Sequence, residues 1–143
     1  MTGAPPPPSI GAGVLATALG GALGAVLRWA LTQAFPTSAG GFPWTVLLIN
    51  VVGSGLLASL PLLGEVRRRP WLPLFLGTGV LGGFTTMSAA STDTFTLLDH
   101  GHVGLGIAYC LGTLAAALGA VLVVGRLSTA DERGRFDAAG GEE

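Results

Sequence analysis

Lysine is absent from this chain of 143 residues, and cysteine and tyrosine occur once each. Charge of either sign is scarce: 10% of the residues are charged, where a soluble domain carries about 25%. Each scarcity excludes something. A lone Cys110 can form neither an internal disulfide nor a thiolate metal cluster. No nucleophile–base pair and no metal-ligand spacing occurs, so an enzyme has nothing to rest on. GGALGA has the look of a dinucleotide-binding loop, but it lies inside an apolar helical stretch rather than between a strand and a helix. The one basic cluster, Arg67-Arg68-Arg69, sits beside a membrane-length segment, which leaves nucleic-acid binding unsupported. The net charge of −1 decides nothing by itself.

Apolar residues are what the chain has in quantity: half of it is hydrophobic. Four stretches, 10–35, 42–64, 71–98 and 103–125, reach the length of about 20 residues that a helix needs to cross a bilayer. The expected fold is an all-α integral membrane protein of four transmembrane helices over residues 10–127. The leader MTGAPPPPS lacks a positive n-region, and the apolar run behind it is too long for the core of a signal peptide, so the first stretch is expected to be a span. Residues 1–9 read as a disordered, proline-rich tail and residues 128–143 as a polar, glycine-containing one.

The arginines orient these spans. Arg28 lies within the first. Arg67, Arg68, Arg69, Arg126, Arg133 and Arg135 all fall on the side shared by the two termini and the second connection, while the opposite loops, around PTSAGG and LDHGH, carry no arginine. The positive-inside rule then puts both termini in the cytoplasm, in a plasma membrane protein.

The 24 glycines favour helix–helix contact, because in lipid small residues must supply the close approach that hydrophobicity cannot. Gly20-x-x-x-Gly24 fits this use, as do Gly53 with Gly55, and Gly112 with Gly119. Four short helices enclose little space, so a functional cavity is expected to need a second subunit. The intramembrane polar residues are the candidates for function. Arg28 costs about 2.5–3.5 kcal/mol if central; it either snorkels to the head groups or supplies a structural or anion-attracting charge at a vestibule. Asn50, with Ser54 one turn on, either binds a neighbouring helix or faces a hydrated path. Tyr109 and Thr113 form a second stripe, Tyr109 also suiting an interfacial anchor and Thr113 a bond back to its own helix. Asp93 reads as an interfacial helix-end carboxylate, and His100 and His102 as solvated loop residues.

The least ordinary stretch is GGFTTMSAAS, residues 82–91. Glycine weakens helix interiors, so Gly82-Gly83 predicts an interrupted third helix. Carbonyls bared at that depth are tolerated only when buried or lining a cavity, where they make a natural cation site. Thr85, Thr86 and Ser88 follow at once, and Ser88 and Thr92 share a helix face; hydroxyls can donate to an anion without adding full charge.

On these residues the sequence resembles the CrcB/Fluc family of fluoride channels. GALGAVLRW is similar to the family's first-span motif ending in Arg28, WTVLLINVVGS to its second-span motif with Asn50, and GVLGGFTTMSAAS to its third-span signature. The resemblance covers about residues 14–127. It implies an antiparallel dimer with two narrow fluoride pores, passive fluoride export and protection from fluoride toxicity. It also implies a structural sodium ion at the dimer interface, held by backbone carbonyls that by position belong to Gly82 and Thr85. Asn50, Thr86, Met87, Ser88, Tyr109 and Thr113 would line the fluoride path, with Arg28 towards a vestibule. Small, tightly hydrated fluoride needs closely placed donors to replace its water, and positive aromatic edges can assist.

The chain departs from the family's Thr-Thr-Phe-Ser-Thr-Phe run: Met87 and Ala90 stand where phenylalanines are expected, Ala89 where a threonine is, and Ala117 where a further serine is common. The one-sided arginines fix a single orientation, so antiparallel pairing is expected with a different, oppositely oriented homologue. The alternative reading is a non-conducting or half-degenerate partner subunit of a heterodimeric channel. A small multidrug transporter is disfavoured, because the first span holds Arg28 and no acid.

Overall fold

The computed structural model describes residues 8–38 and 40–140, and all regular structure among them is helical. Ser9 starts α1 (Ile10–Ala34), its hydroxyl accepting from the Ala12 amide at 3.4 Å, the usual service of a serine N-cap. Pro36 ends it, since the residue before a proline is pushed out of the helical region, and Phe35 is accordingly at φ −129°. α2 (Trp44–Ser59) begins directly after Pro43 and tightens into a 3₁₀ turn over Leu60–Leu62. The short α3 (Gly64–Arg68) follows, with an exposed Arg69–Glu65 ion pair at 3.2 Å.

The segment expected as the third span is not one helix. A π-helix (Pro73–Leu81) runs into a single turn, α4 (Gly82–Phe84); the backbone is then extended at Thr85 and Thr86 before α5 (Met87–Asp99). Gly101, at φ +79°, turns the chain after α5. The His102 amide reaches back to Leu97 O at 2.9 Å and the Gly101 amide to Leu98 O at 3.0 Å, the paired bonds of a Schellman stop. α6 (Val103–Gly140) closes the fold. The polar segment from residue 128, expected as a tail, continues this helix to Gly140, with no proline in it to stop the backbone bonding. Residues 1–7 and 141–143 of the expected tails lie outside the described residues.

Among the described residues three helical stretches are long and apolar enough to cross a membrane: Ile10–Ala34, Trp44–Leu62 and Val103–Ser128. Their outer faces present Val14, Leu15, Leu19, Val26, Leu111, Leu118 and Leu122, an apolar surface far too extensive for water and suited to lipid. The protein is an integral membrane protein.

Glycine decides the packing of α1. A Cβ on Gly20 would run into Phe75 O, one on Gly24 into Val80 O, and one on Gly83 into Gly21 O, so α1 lies backbone to backbone against the π-helix and α4. The expected small-residue contact at Gly20 and Gly24 is thus made within the chain. Gly112 and Gly119 differ: a Cβ on either meets nothing within 4 Å, because that face of α6 points away from the other helices. The break also differs from expectation. Gly82 and Gly83 are helical, and the interruption falls at Thr85–Thr86; Gly83 is there for close approach to α1.

Candidate ion site at the broken helix

Three side chains account for the break. Asn50, buried in α2, grips the Thr86 peptide from both sides: its Oδ1 accepts from the Thr86 amide at 2.7 Å and its Nδ2 donates to Thr86 O at 3.0 Å. An asparagine amide is an acceptor and a donor side by side, the complement of one extended residue. Thr86 then restarts the chain as the N-cap of α5, its Oγ1 accepting from the Ala89 amide at 3.1 Å. Arg28, half-buried in α1, donates from Nε to Gly83 O at 3.3 Å, a cation at a helix's carbonyl end. This bond ties α1 to the break.

The same bonds decide which carbonyls are released. In a continuous α-helix Gly82 O would accept from the Thr86 amide and Thr85 O from the Ala89 amide. The first amide donates to Asn50 Oδ1 instead, and the second to Thr86 Oγ1. Both carbonyls are therefore deprived of their helical donors, a donor set of the kind a hard cation takes.

Beside the break lies a cavity of about 180 Å³ lined by Asn50, Ser54, Thr85, Thr86, Met87, Thr113, Leu114 and Ala117. Four of the expected path residues, Asn50, Thr86, Met87 and Thr113, meet there. Thr113 Oγ1 is buried in it with no close hydrogen bond, interacting only weakly with the Tyr109 hydroxyl one turn earlier, while Asn50 Nδ2 donates one of its two hydrogens to Thr86 O. No lining side chain carries a charge, so the site offers uncharged donors.

Ser88 and Tyr109 lie elsewhere. Ser88 is exposed at the start of α5, its Oγ 3.1 Å from Thr86 Oγ1. Tyr109 is fully buried, its ring edge-on to Phe42 at 5.4 Å and its hydroxyl donating to Asp93 Oδ2 at 3.2 Å; it is a core residue rather than an interfacial anchor. Asp93, expected as an interfacial helix-end carboxylate, is held by that bond. Of the expected hydroxyl face, Thr85 and Thr92 donate back to carbonyls one turn earlier, as Ser91, Thr94 and Thr96 of α5 also do, which leaves Ser88 beside Thr86. Met87 is 65% exposed, whereas Ala90 is buried against Val46, Leu97 and Tyr109. Sequence reasoning missed the Asn50–Thr86 clasp and the Asp93–Tyr109 bond. The one signal for the latter was that the sole acid within a span and the sole tyrosine are both near its outer end.

Broken helix, released carbonyls and a cavity lined by uncharged polar groups define a small helical membrane protein whose intramembrane polar residues gather at one break. The chain belongs to the CrcB family: residues 15–126 match the family described as "CrcB-like protein, Camphor Resistance (CrcB)". It is 44% identical over 110 residues to the "Fluoride-specific ion channel FluC 1" of Streptomyces coelicolor, covering 76% of this chain and 71% of that one. To the "Fluoride-specific ion channel FluC" of Thermus thermophilus it is 45% identical over 108 residues, 73% of this chain and 85% of that one. To the protein of the same name in Rhizobium meliloti it is 41% identical over 115 residues, 76% and 89% of the two.

Proposed function

We propose that the chain is a subunit of a fluoride-selective channel that lets fluoride leave the cell passively and so protects it from fluoride. The observation that carries this reading is the cavity beside the break, where buried Thr113 and Asn50, clamped in place by Thr86, meet in a wall with no charged side chain. An uncharged donor set suits a small anion that must also be released. The names of the relatives agree with this anion.

In the membrane the subunit has four spans, the third being the broken segment from the π-helix through α5, with both termini in the cytoplasm of a plasma membrane protein. Two subunits pair antiparallel. Gly82 O and Thr85 O, released from their helical donors, hold a structural sodium ion at the interface; the ion supplies positive charge and ties the two broken helices together. Asn50, Thr86, Met87, Ser88 and Thr113 serve the fluoride path, and Tyr109 serves it by bracing Asp93 and the wall of Phe42 and Val46.

The pairing partner is an oppositely oriented homologue. The one-sided arginines support this, and so does position 90: Ala90 is packed against Tyr109 and Val46, so an aromatic ring for the second pore has no space there. The test is growth in fluoride of a bacterial strain deprived of its own exporter. Expression of this chain, alone or with an oppositely biased homologue, is expected to restore growth, and Asn50→Ala to abolish the rescue. Failure of both combinations at normal membrane expression would overturn the reading.

A further inference from the structure

The two helices that flank the cavity advance in step. Val46 and Tyr109 share one core cluster; one turn further on, Asn50 and Thr113 line the cavity; a turn beyond that, Ser54 and Ala117 line its inner end. Further in, a Cβ on Gly55 would lie 3.8 Å from Ala120 Cβ, so α2 and α6 stay in contact. The polar member of each rung changes side. It is Tyr109 of α6 at the outer rung, both helices at the middle one, and Ser54 of α2 alone at the inner one, where α6 offers only Ala117.

The hydroxyl of Ser54 is free to act. Several serines and threonines of the bundle donate to their own backbone, as Thr32, Ser59, Thr92 and Ser128 do, and in the same cavity Thr85 donates to Leu81 O. Ser54 makes no hydrogen bond among the described residues, is half-buried, and lines the cavity that holds Thr113, itself 3% exposed. Every charged side chain is absent from this wall, so an anion moving inward from Thr113 meets no other donor at the depth of Ala117.

We propose that Ser54 is a fluoride-contacting residue, the inner donor of a path that crosses from α6 to α2. The fluoride-channel reading underlies this. An anion held between the Thr113 hydroxyl and the Asn50 amide is handed one turn inward to Ser54, and the hydroxyl that α6 lacks at position 117 is supplied from across the cavity.

The experiment is fluoride efflux from liposomes, followed by electrode, for wild type, Ser54→Ala, Ser54→Ala with Ala117→Ser, and Ala117→Ser alone. Each is reconstituted in whichever state carries flux, alone or with an oppositely biased homologue. Ser54→Ala is expected to slow efflux roughly tenfold, as the loss of one hydrogen bond to a charged partner does, and Ala117→Ser in the same chain to restore most of it. A purely structural role for Ser54 would not be rescued from the opposite helix. Should Ser54→Ala fail to fold, Ala117→Ser alone decides the matter: a second hydroxyl at that rung is expected to lower the half-saturating fluoride concentration. Unchanged efflux in Ser54→Ala, no rescue by Ala117→Ser, or an unaltered concentration dependence in the single variant each overturns the assignment of Ser54 and leaves the channel reading intact. No efflux from wild type in either state overturns both.

Discussion

The two seams that flank the broken segment are built on opposite principles. Where α1 meets the π-helix and α4, backbone lies on backbone: Gly20, Gly24, Gly79 and Gly83 leave no space for even one methyl group. Where α2 meets α5 and α6, polar side chains stand around a cavity of about 180 Å³. The first seam excludes everything, and the second excludes only what cannot accept a hydrogen bond. Lipid gives helices no hydrophobic reason to associate, so the glycine seam supplies the van der Waals contact that makes the segment rigid. Rigidity there lets Asn50 hold the break open on the other side. Arg28 joins the two, reaching from α1 across the tight seam to Gly83 O.

The contrast can be broken most violently at Gly24. A Cβ there would collide with Val80 O and approach Phe84 N, both backbone atoms that cannot swing aside. Gly24→Val is expected to cost about 3 kcal/mol or more and to abolish monodisperse protein on size exclusion in detergent. Gly119→Ala meets nothing within 4 Å and is expected to change thermal stability by about 0.5 kcal/mol at most. Equal tolerance at the two positions would contradict the division into a tight and an open seam.

Asn50→Leu attacks the polar seam. It strands the Thr86 amide, which costs about 1–3 kcal/mol when unsatisfied, and leaves Thr86 O with only its helical donor. Fluoride rescue is expected to disappear at a protein level where the fold is still detectable. Retained rescue would mean that the break does not depend on the clasp. Arg28→Leu has a smaller effect, because the lost bond to Gly83 O is offset by removing a guanidinium that costs about 2.5–3.5 kcal/mol in mid-bilayer. The two terms nearly cancel, so the melting temperature is expected to shift by the equivalent of about 1 kcal/mol or less, with Arg28→Lys holding Gly83 O less well than wild type since a point charge replaces the fixed fork. Tyr109→Phe is smaller again among the polar changes. It keeps the edge contact with Phe42 and removes the hydroxyl that bonds Asp93, a bond worth about 0.6 kcal/mol on average between membrane helices.

The sequence carried the scale of the architecture and the identity of the site more clearly than its mechanics. Membrane length is a property of composition, so the spans over residues 10–35, 42–64 and 103–125 were legible, and α1, α2 and the apolar part of α6 correspond to them. The third segment was legible as unusual, but the position of its interruption was not. Gly82-Gly83 reads as a helix weakness, yet glycine serves equally to admit a neighbouring backbone, and only the approach of Gly21 distinguishes the two uses. The break belongs instead to Thr86, whose amide is taken by Asn50 from 36 residues away, a long-range bond that no local propensity encodes. Hydroxyl content in residues 85–96 suggested a donor-rich face. The free hydrogens are fewer, because threonine in a helix turns back on its own carbonyls. Asn50 and Thr113 were legible as intramembrane polar groups on facing stripes, and the cavity brings them together. Tyr109, on the same stripe as Thr113, faces the core because Phe42 and Asp93 sit at its depth.

Fluoride efflux from liposomes reconstituted with the purified chain, first alone and then with an oppositely biased homologue, tests the central claim most directly. Fluoride is expected to leave in at least one of the two preparations while chloride is retained, and Asn50→Leu to silence it. A well-folded protein that passes no fluoride in either preparation, or passes chloride as readily, would contradict the account.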